Sequence, residues 1–209
     1  MDVQIVLFVS IILIIILYFI LFKYFSHIGG IRATTKPYLL TFNGSPNQHT
    51  PKILDILKNH NIVAIFFITA EECKNNLDLI RDIIKLGHHI GILGNDETSV
   101  MLKGRNYVRD NYKKAIDTIS KIVKDPIRYY RPVNGYQNIW GQLGAQDLGL
   151  YHLGWSLNTY NEHIDYIKKY YIKGSIILFH HNLQTVQVLN GVINFLNNKN
   201  HLSKIGSNI

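Results

Sequence analysis

Short apolar runs alternate with longer amphipathic stretches along most of this chain, and this alternation is what most constrains its fold. The apolar runs lie at 38–42, 63–68, 89–93, 128–131, 151–156 and 175–180. Several are apolar without interruption, which is typical of parallel strands buried on both faces. Residues with helical periodicity or helix-start signals lie between them, at 50–59, 76–86, 111–124, 162–171 and 184–197. A strand followed by a helix, repeated about six times, predicts an α/β fold with a parallel sheet.

The length of the chain limits which α/β architecture it can adopt. The chain has 209 residues, whereas a full eight-unit barrel typically has about 250. We expect a small distorted (β/α) barrel, and the pattern alone leaves a doubly wound open sheet as an alternative. In either architecture, reactive residues belong at the carboxyl ends of the strands.

Residues 3–22 are almost wholly apolar and are interrupted only by Gln4 and Ser10. As a helix this run would be about 30 Å long, which matches the hydrocarbon core of a bilayer. It is longer than the apolar region of a typical cleaved signal peptide, and no Lys or Arg precedes it. We therefore expect a single-pass anchor within 1–25, a linker at 26–36 and a folded domain at 37–209. Basic residues follow the apolar run, which predicts that the domain lies on the cytosolic side.

The composition is basic, with a formal net charge of +8. No dense block of Lys or Arg is present, so a solvated basic surface is the simpler interpretation and we expect no specific nucleic-acid partner. The single cysteine, Cys73, has no second cysteine with which to form an internal disulfide, and it does not indicate a compartment.

Two motifs carry a resemblance to a known enzyme family. Residues 41–46 read Thr-Phe-Asn-Gly-Ser-Pro, and residues 87–97 read Gly-His-His-Ile-Gly-Ile-Leu-Gly-Asn-Asp-Glu. They resemble the Thr-Phe-Asp-Asp-Gly-Pro and Gly-His-Glu-Ile-Gly-Asn-His-Thr-x-x-His motifs of NodB-type polysaccharide deacetylases, which form carbohydrate esterase family 4. The resemblance continues in the same order through nearly all of residues 37–198.

The resemblance implies an aspartate base and a divalent metal held by one Asp and two His. Here Asn43 stands at the position of the base, and the metal positions are Gly44, Leu93 and Glu97. The metal of the family would lower the pKa of a bound water and polarise the acetyl carbonyl. A carboxamide has no useful basicity, and a catalytic metal site needs about three protein ligands. We therefore expect no bound metal and no other cofactor.

Three later segments resemble the remaining motifs of the family: Arg-Pro-Val-Asn-Gly at 131–135, Trp-Ser-Leu-Asn-Thr at 155–159 and Ile-Leu-Phe-His at 177–180. The resemblance implies that Arg131 supports the residue at the base position and that His180 is the general acid. It also implies that Trp155 and Leu178 line a sugar pocket, although both are equally common core residues. Asn158 replaces an acidic residue of the family beside that pocket.

We therefore predict a membrane-anchored, deacetylase-like domain without deacetylase activity, which binds N-acetylated glycans or acts as a structural or interaction module. The alternative is a hydrolase that acts on N-acetylated carbohydrate and uses His180 as its acid or base. A third hypothesis is a basic, membrane-bound adaptor for acidic partners, whose binding would weaken with salt. The sequence does not specify a protein partner.

Two histidine pairs leave one other metal arrangement open. The possible ligands near the predicted strand ends are His88, His89, His180, His181, Asp96 and Glu97. Because neighbouring strand residues point to opposite faces, only one His of each pair would face the centre of a barrel. A shifted metal site is therefore the less favoured interpretation.

Overall fold

A single parallel sheet organises the domain. The computed structural model describes residues 3–25, 30–159 and 164–206. The seven strands of the sheet are β1 Tyr38–Asn43, β2 Ile65–Thr69, β3 His89–Gly94, β4 Tyr129–Tyr130, β5 Tyr151–His152, β6 Leu157–Asn158 and β7 Ser175–His180. The helices are α1 Val3–Phe25, α2 Thr50–Asn59, α3 Ala70–Asn75, α4 Leu77–Lys85, α5 Arg105–Ile119, α6 Ile139–Gln146, α7 Ile164–Tyr170 and α8 Leu183–Gly206, with a 3-10 turn, η1, at Val133–Gly135.

The strands follow one another around the sheet in the order β5-β4-β3-β2-β1-β7-β6, and every pair is parallel. This is the strand order of a barrel that is open between β5 and β6. An inner apolar layer contains Ile65, Phe67 and Leu153, and a larger core packs the outer face of the sheet against the helices. The predicted small distorted barrel is thus confirmed as a curled half-barrel. The doubly wound alternative is wrong, because the strand order never reverses.

The segment before β1 connects the two sides of the opening. Ile31 forms a parallel bridge with Leu153, just after β5, and Ala33 forms an antiparallel bridge with Ser175 at the start of β7. The amide of Ile31 donates to the carbonyl of His152 at 2.9 Å. The described part of the predicted linker therefore packs on the sheet.

The strand predicted at 151–156 is in fact two strands, β5 and β6, at opposite edges of the sheet. The chain changes partners between them: the amide of Gly154 donates to Ile31 O at 2.9 Å, and the amide of Ser156 donates to Ile176 O at 2.9 Å. An apolar pattern reports burial but not hydrogen-bond partners, so the sequence does not reveal this break.

Helices α3 and α6 were not predicted. Helix α3 begins with a capping box, in which Glu72 N donates to Thr69 Oγ1 at 3.1 Å and Thr69 N donates to Glu72 Oε2 at 2.7 Å. A Thr-x-x-Glu sequence is a recognisable start signal, so α3 could have been found. The helix predicted at 111–124 instead runs from Arg105 to Ile119, and the start predicted at residue 162 lies outside the described residues.

Helix α1 precedes the domain, and its large apolar side chains between Val3 and Tyr18 are exposed. Across the segments that the structure describes, no helix combines the length and the apolar character needed to cross a membrane. The transmembrane anchor predicted at 3–22 is therefore not confirmed.

Candidate functional site

The candidate site lies at the carboxyl ends of β1 and β7. These strands are neighbours, and their register places Asn43 directly beside His180. Strand β7 is buried up to its last residue, and β1 is buried from Leu40 to Phe42. The last residue of each strand is partly exposed. The polar end of each strand is therefore presented at the rim of the half-barrel, where the sequence predicted the site.

Arg131 lies inside the half-barrel beneath this rim and is completely buried. Its Nη1 donates to Asn43 Oδ1 at 2.7 Å, and both Nη atoms lie 3.2 Å from Thr41 Oγ1. Its Nε donates to Leu153 O at 2.8 Å and its Nη2 to Gly154 O at 2.9 Å. The five N–H groups of the guanidinium are thus all satisfied, and each acceptor is an uncharged oxygen.

Aromatic rings flank the same guanidinium. Its Cζ lies 4.2 Å from the ring centroid of Phe67 and 5.2 Å from that of Trp155. Burial lowers the pKa of Arg131 to about 9, so the group stays charged at neutral pH. Among the described residues, no ion pair joins Arg131 to a carboxylate. A buried charge of this kind normally has a counter-charge, and Asn43 offers only an amide dipole.

His180 is partly exposed beside Asn43. Burial lowers the pKa of its imidazole, and the positive charge of Arg131 lowers that pKa further. The ring is therefore neutral at pH 7, a state that favours accepting a proton over donating one. Asp96, a possible partner for His180, instead accepts from the amide of Thr98 at 2.8 Å.

A cavity of about 270 Å³ opens beside Trp155 and Asn158, and Gly135, Tyr166 and Arg32 are also among its lining residues. Trp155 is only partly exposed, so one part of the indole packs inside the domain while another reaches the cavity. The cavity combines aromatic faces with a few polar groups, which is the usual composition of a small-ligand site.

Close packing against Gly135 holds the indole in place. Gly135 has φ +76°, and a Cβ at this position would lie 2.4 Å from Cη2 of Trp155. Only glycine combines this backbone conformation with this approach. Leu178, which was predicted to line the pocket, is 2% exposed and is not among the residues lining the cavity. It acts as a core residue.

The predicted metal positions do not fit a metal. Leu93 is buried with the inner apolar cluster, and Glu97 is exposed. Gly44 has φ +94°, and a Cβ there would meet no atom within 4 Å. Within the described ranges 3–25, 30–159 and 164–206, no three His, Cys, Asp or Glu side chains are grouped so that they could hold a metal ion. The donor set that the family uses is therefore not assembled by these residues.

The shifted metal site is not found either. His88 and His89 lie at the amino end of β3, whereas His180 lies at the carboxyl end of β7. His181 is buried on the outer face of the sheet, and its Nδ1 lies 2.8 Å from Thr50 Oγ1. The histidines therefore do not converge on one point.

Sequence reasoning missed three residues of the site: Thr41, Gly135 and Arg32. Thr41 is a polar side chain within a buried apolar strand, which is a signal that the sequence does contain. Arg32 belongs to the segment before β1, and only the folded structure shows that it lines the cavity.

Comparison with known proteins identifies relatives of this arrangement. The polysaccharide deacetylase family model matches residues 31–152. The peptidoglycan-N-acetylmuramic acid deacetylase PdaA of Bacillus subtilis is 31% identical over 124 residues, which are 58% of this chain and 47% of that protein. The chain spans about half the length of this relative and of a second curated relative, from Geobacillus stearothermophilus.

Solved structures share the fold. A family 4 carbohydrate esterase from Bacillus anthracis has a TM-score of 0.72 and 26% identity, with 88% of this chain and 86% of that chain covered. A family 4 pseudoenzyme from the same species has a TM-score of 0.75 and 23% identity, with 79% and 62% covered. A mutant of that pseudoenzyme with restored enzymatic activity has the same fold, with a TM-score of 0.75 and 23% identity to this chain. At this level of identity, the similarity to the pseudoenzyme concerns the fold alone.

Proposed function

The chain belongs to the polysaccharide deacetylase family, and from this premise we propose that its domain binds N-acetylated glycans without deacetylating them. The contact between Asn43 and Arg131 carries the proposal. A carboxylate at this position would be the base that takes a proton from water, and the amide of Asn43 cannot take that role. The absence of a group of metal ligands in the described residues supports the same conclusion.

The cavity beside Trp155 supports glycan binding. An aromatic face packs against the apolar face of a sugar ring, while amide groups such as that of Asn158 bond to its hydroxyl or acetamido groups. Family membership supports an N-acetylated sugar, since PdaA is by name a deacetylase of N-acetylmuramic acid in peptidoglycan.

Two measurements on the purified full chain test the proposal. Calorimetry with N-acetylglucosamine oligomers and with soluble peptidoglycan fragments should show saturable binding, and Trp155→Ala should weaken it at least about tenfold. Trp140→Ala is the matched control, because Trp140 is exposed and does not line the cavity. Acetate release from the same glycans should stay at the level without protein. Release of acetate that His180→Ala abolishes would contradict the proposal.

The alternative enzyme would use His180 as a base. The observation in its favour is a partly exposed imidazole that is neutral at pH 7 beside Asn43. It predicts hydrolysis of an N-acetylated or glycosidic substrate that requires His180. If His180→Ala leaves every such activity unchanged, the alternative fails.

We also propose that the apolar helix α1 attaches the domain to a membrane, with the domain on the cytosolic face, as its flanking charges predict. The exposed apolar side chains between Val3 and Tyr18 support attachment. Resistance of the chain to salt washing tests attachment, and protection from protease in sealed vesicles tests the orientation. Release of the chain by salt alone would contradict attachment. Digestion of the domain by protease added outside vesicles that enclose the cytosolic face would contradict the orientation.

A further inference from the structure

A second and larger cavity lies at the other end of the half-barrel. It has a volume of about 410 Å³, against about 270 Å³ for the cavity beside Trp155. Its lining comes from the amino ends of β1 to β4 and includes Leu39, Ile65, His89 and Tyr129. Asn43 and His180 stand at the carboxyl ends of their strands, so this cavity is separate from the candidate glycan site.

The cavity lies across the amino ends of the strands. Its lining takes Leu39, Ile65 and Tyr129 from the inner apolar cluster, and Ile90 and Val123 from the core on the outer face. Leu39 and Tyr129 are only partly buried, and Val63 at the mouth is 47% exposed. Apolar surface is thus left facing a space of ligand size, since ligand sites typically have volumes of about 300–1,000 Å³.

Charged side chains stand around the apolar walls. Lys36 and Arg128 both line the cavity and are exposed, and Asp125 is the one carboxylate in the lining. In the part of the chain that the structure describes, no ion pair joins Asp125 to either cation. The two cations therefore exceed the acidic charge of the lining, and among the described residues neither makes an ion pair with a carboxylate. An arginine fork and a lysine ammonium together favour an anionic group.

We propose that this cavity binds an amphiphilic anion, namely an unbranched alkyl carboxylate of medium length. The carboxylate would lie between Lys36 and Arg128, and the chain would lie against Leu39, Ile65 and Val123. Burial of each methylene group strengthens binding about fourfold, so affinity should rise with chain length until the cavity is filled. Neither Asn43 and His180 nor the cavity beside Trp155 takes part in this binding.

Calorimetric titration of the full chain with decanoate tests the proposal. We expect saturable binding of one decanoate, weaker binding of butyrate, and binding of the uncharged decanol that is about tenfold weaker than that of decanoate. Arg128→Ala and Lys36→Ala should each weaken decanoate binding about threefold while leaving decanol binding unchanged. Any adsorption to the apolar helix α1 is common to all variants, so the comparison between variants cancels it.

Two further variants make the experiment decisive. Val63→Trp places a large side chain at the exposed mouth and should abolish decanoate binding without changing the thermal unfolding temperature. Lys52→Ala is the matched charge control, because Lys52 is exposed on α2 and does not line the cavity. Equal binding of decanoate and decanol, or equal decanoate binding by the wild type and Arg128→Ala, would overturn the proposal. So would the absence of saturable binding up to about 1 mM decanoate.

Discussion

The side-chain oxygen of Asn43 lies 2.7 Å from Nη1 of Arg131, so a neutral amide occupies the place of a counter-ion to a fully buried guanidinium. The hydrogen bonds of the guanidinium are complete, but its charge is not balanced by any carboxylate within the described residues. Arg131 therefore has its full set of hydrogen bonds but lacks a negatively charged partner among these residues.

Asn43→Asp should stabilise the domain at pH 7. The new carboxylate would accept the same hydrogen bond and add an ionic attraction, which we expect to raise the free energy of unfolding by about 1–3 kcal/mol. Arg131 would lower the pKa of the new carboxyl, so the gain should be present above the usual pKa of Asp, about 3.9, and disappear as the pH falls through the lowered value. Urea unfolding at several pH values measures this.

Asn158→Asp is the control for Asn43→Asp. It adds the same charge at the same end of the sheet, but Asn158 is not among the hydrogen-bond acceptors of Arg131. A gain that is equal in both variants would show that net charge, and not the contact with Arg131, is responsible.

The variant with Asn43→Asp, Gly44→Asp, Leu93→His and Glu97→His should bind one Zn²⁺, whereas the wild type should not. A Cβ at residue 44 would stand in open space, which leaves room for a carboxylate. The φ of +94° at Gly44 would make Gly44→Asp alone destabilising, by about 1–3 kcal/mol. Elemental analysis of the dialysed protein reports the metal. A variant that lacks only Leu93→His serves as control and should bind Zn²⁺ at least about tenfold more weakly.

The stability of the protein should decrease below about pH 6.5, the usual pKa of histidine. Burial, with a smaller contribution from a neighbouring histidine, lowers the pKa of His88 to about 4 and that of His181 to about 3. The unfolded chain therefore binds more protons than the folded chain between pH 6.5 and these values. Stability is fully present above pH 6.5 and should decrease by up to about 1.4 kcal/mol per pH unit for each histidine as the pH falls.

Urea unfolding between pH 7 and pH 4 measures this dependence. His181→Asn should reduce the slope, because it removes one of the two titrating groups while keeping an acceptor for Thr50. His60→Asn is the control, since His60 lies at the surface and bonds to Asn190. An unchanged slope in His181→Asn would show that His181 does not titrate in this way.

Gly135→Ala should impair glycan binding and stability together. The new methyl group would displace the indole of Trp155, and alanine is strained at φ +76°. We expect a loss of about 1–3 kcal/mol in the free energy of unfolding and at least about tenfold weaker glycan binding. Gly104→Ala is the matched control, because a Cβ at Gly104 meets no atom within 4 Å. Normal glycan binding by Gly135→Ala would mean that the indole position does not determine affinity.

Local burial explains why much of the fold was predictable. The apolar runs at β2, β3 and β7 are buried almost throughout, and β1 is buried in its centre. Their composition alone therefore predicted strands close to their observed bounds. The strand-helix alternation and the chain length then predicted a small barrel, and successive strands are indeed neighbours in the sheet except for β5 and β6. The break at Gly154 escaped prediction because it depends on partners distant in sequence, Ile31 and Ile176.

The site was predictable in its positions but not in its contacts. The motifs identified Asn43, Arg131, Trp155 and His180, and the structure brings these residues together at one rim. The other acceptors of Arg131 include two main-chain carbonyls. The type of a residue does not indicate which group its main-chain carbonyl accepts from. The sequence left open whether Leu178 lines a pocket or fills the core, because an apolar residue type is compatible with both; in the structure it is buried.

The bridges made by Ile31 and Ala33 have a consequence for the solution behaviour of the domain. An open sheet presents unpaired main-chain groups at its edges, and such edges recruit strands from other molecules. Residues 31–34 occupy part of these groups beside β5 and β7 from within the same chain. A protein shortened to begin at Tyr38 would keep all seven strands and lose this protection. We therefore expect it to self-associate under conditions in which it remains folded.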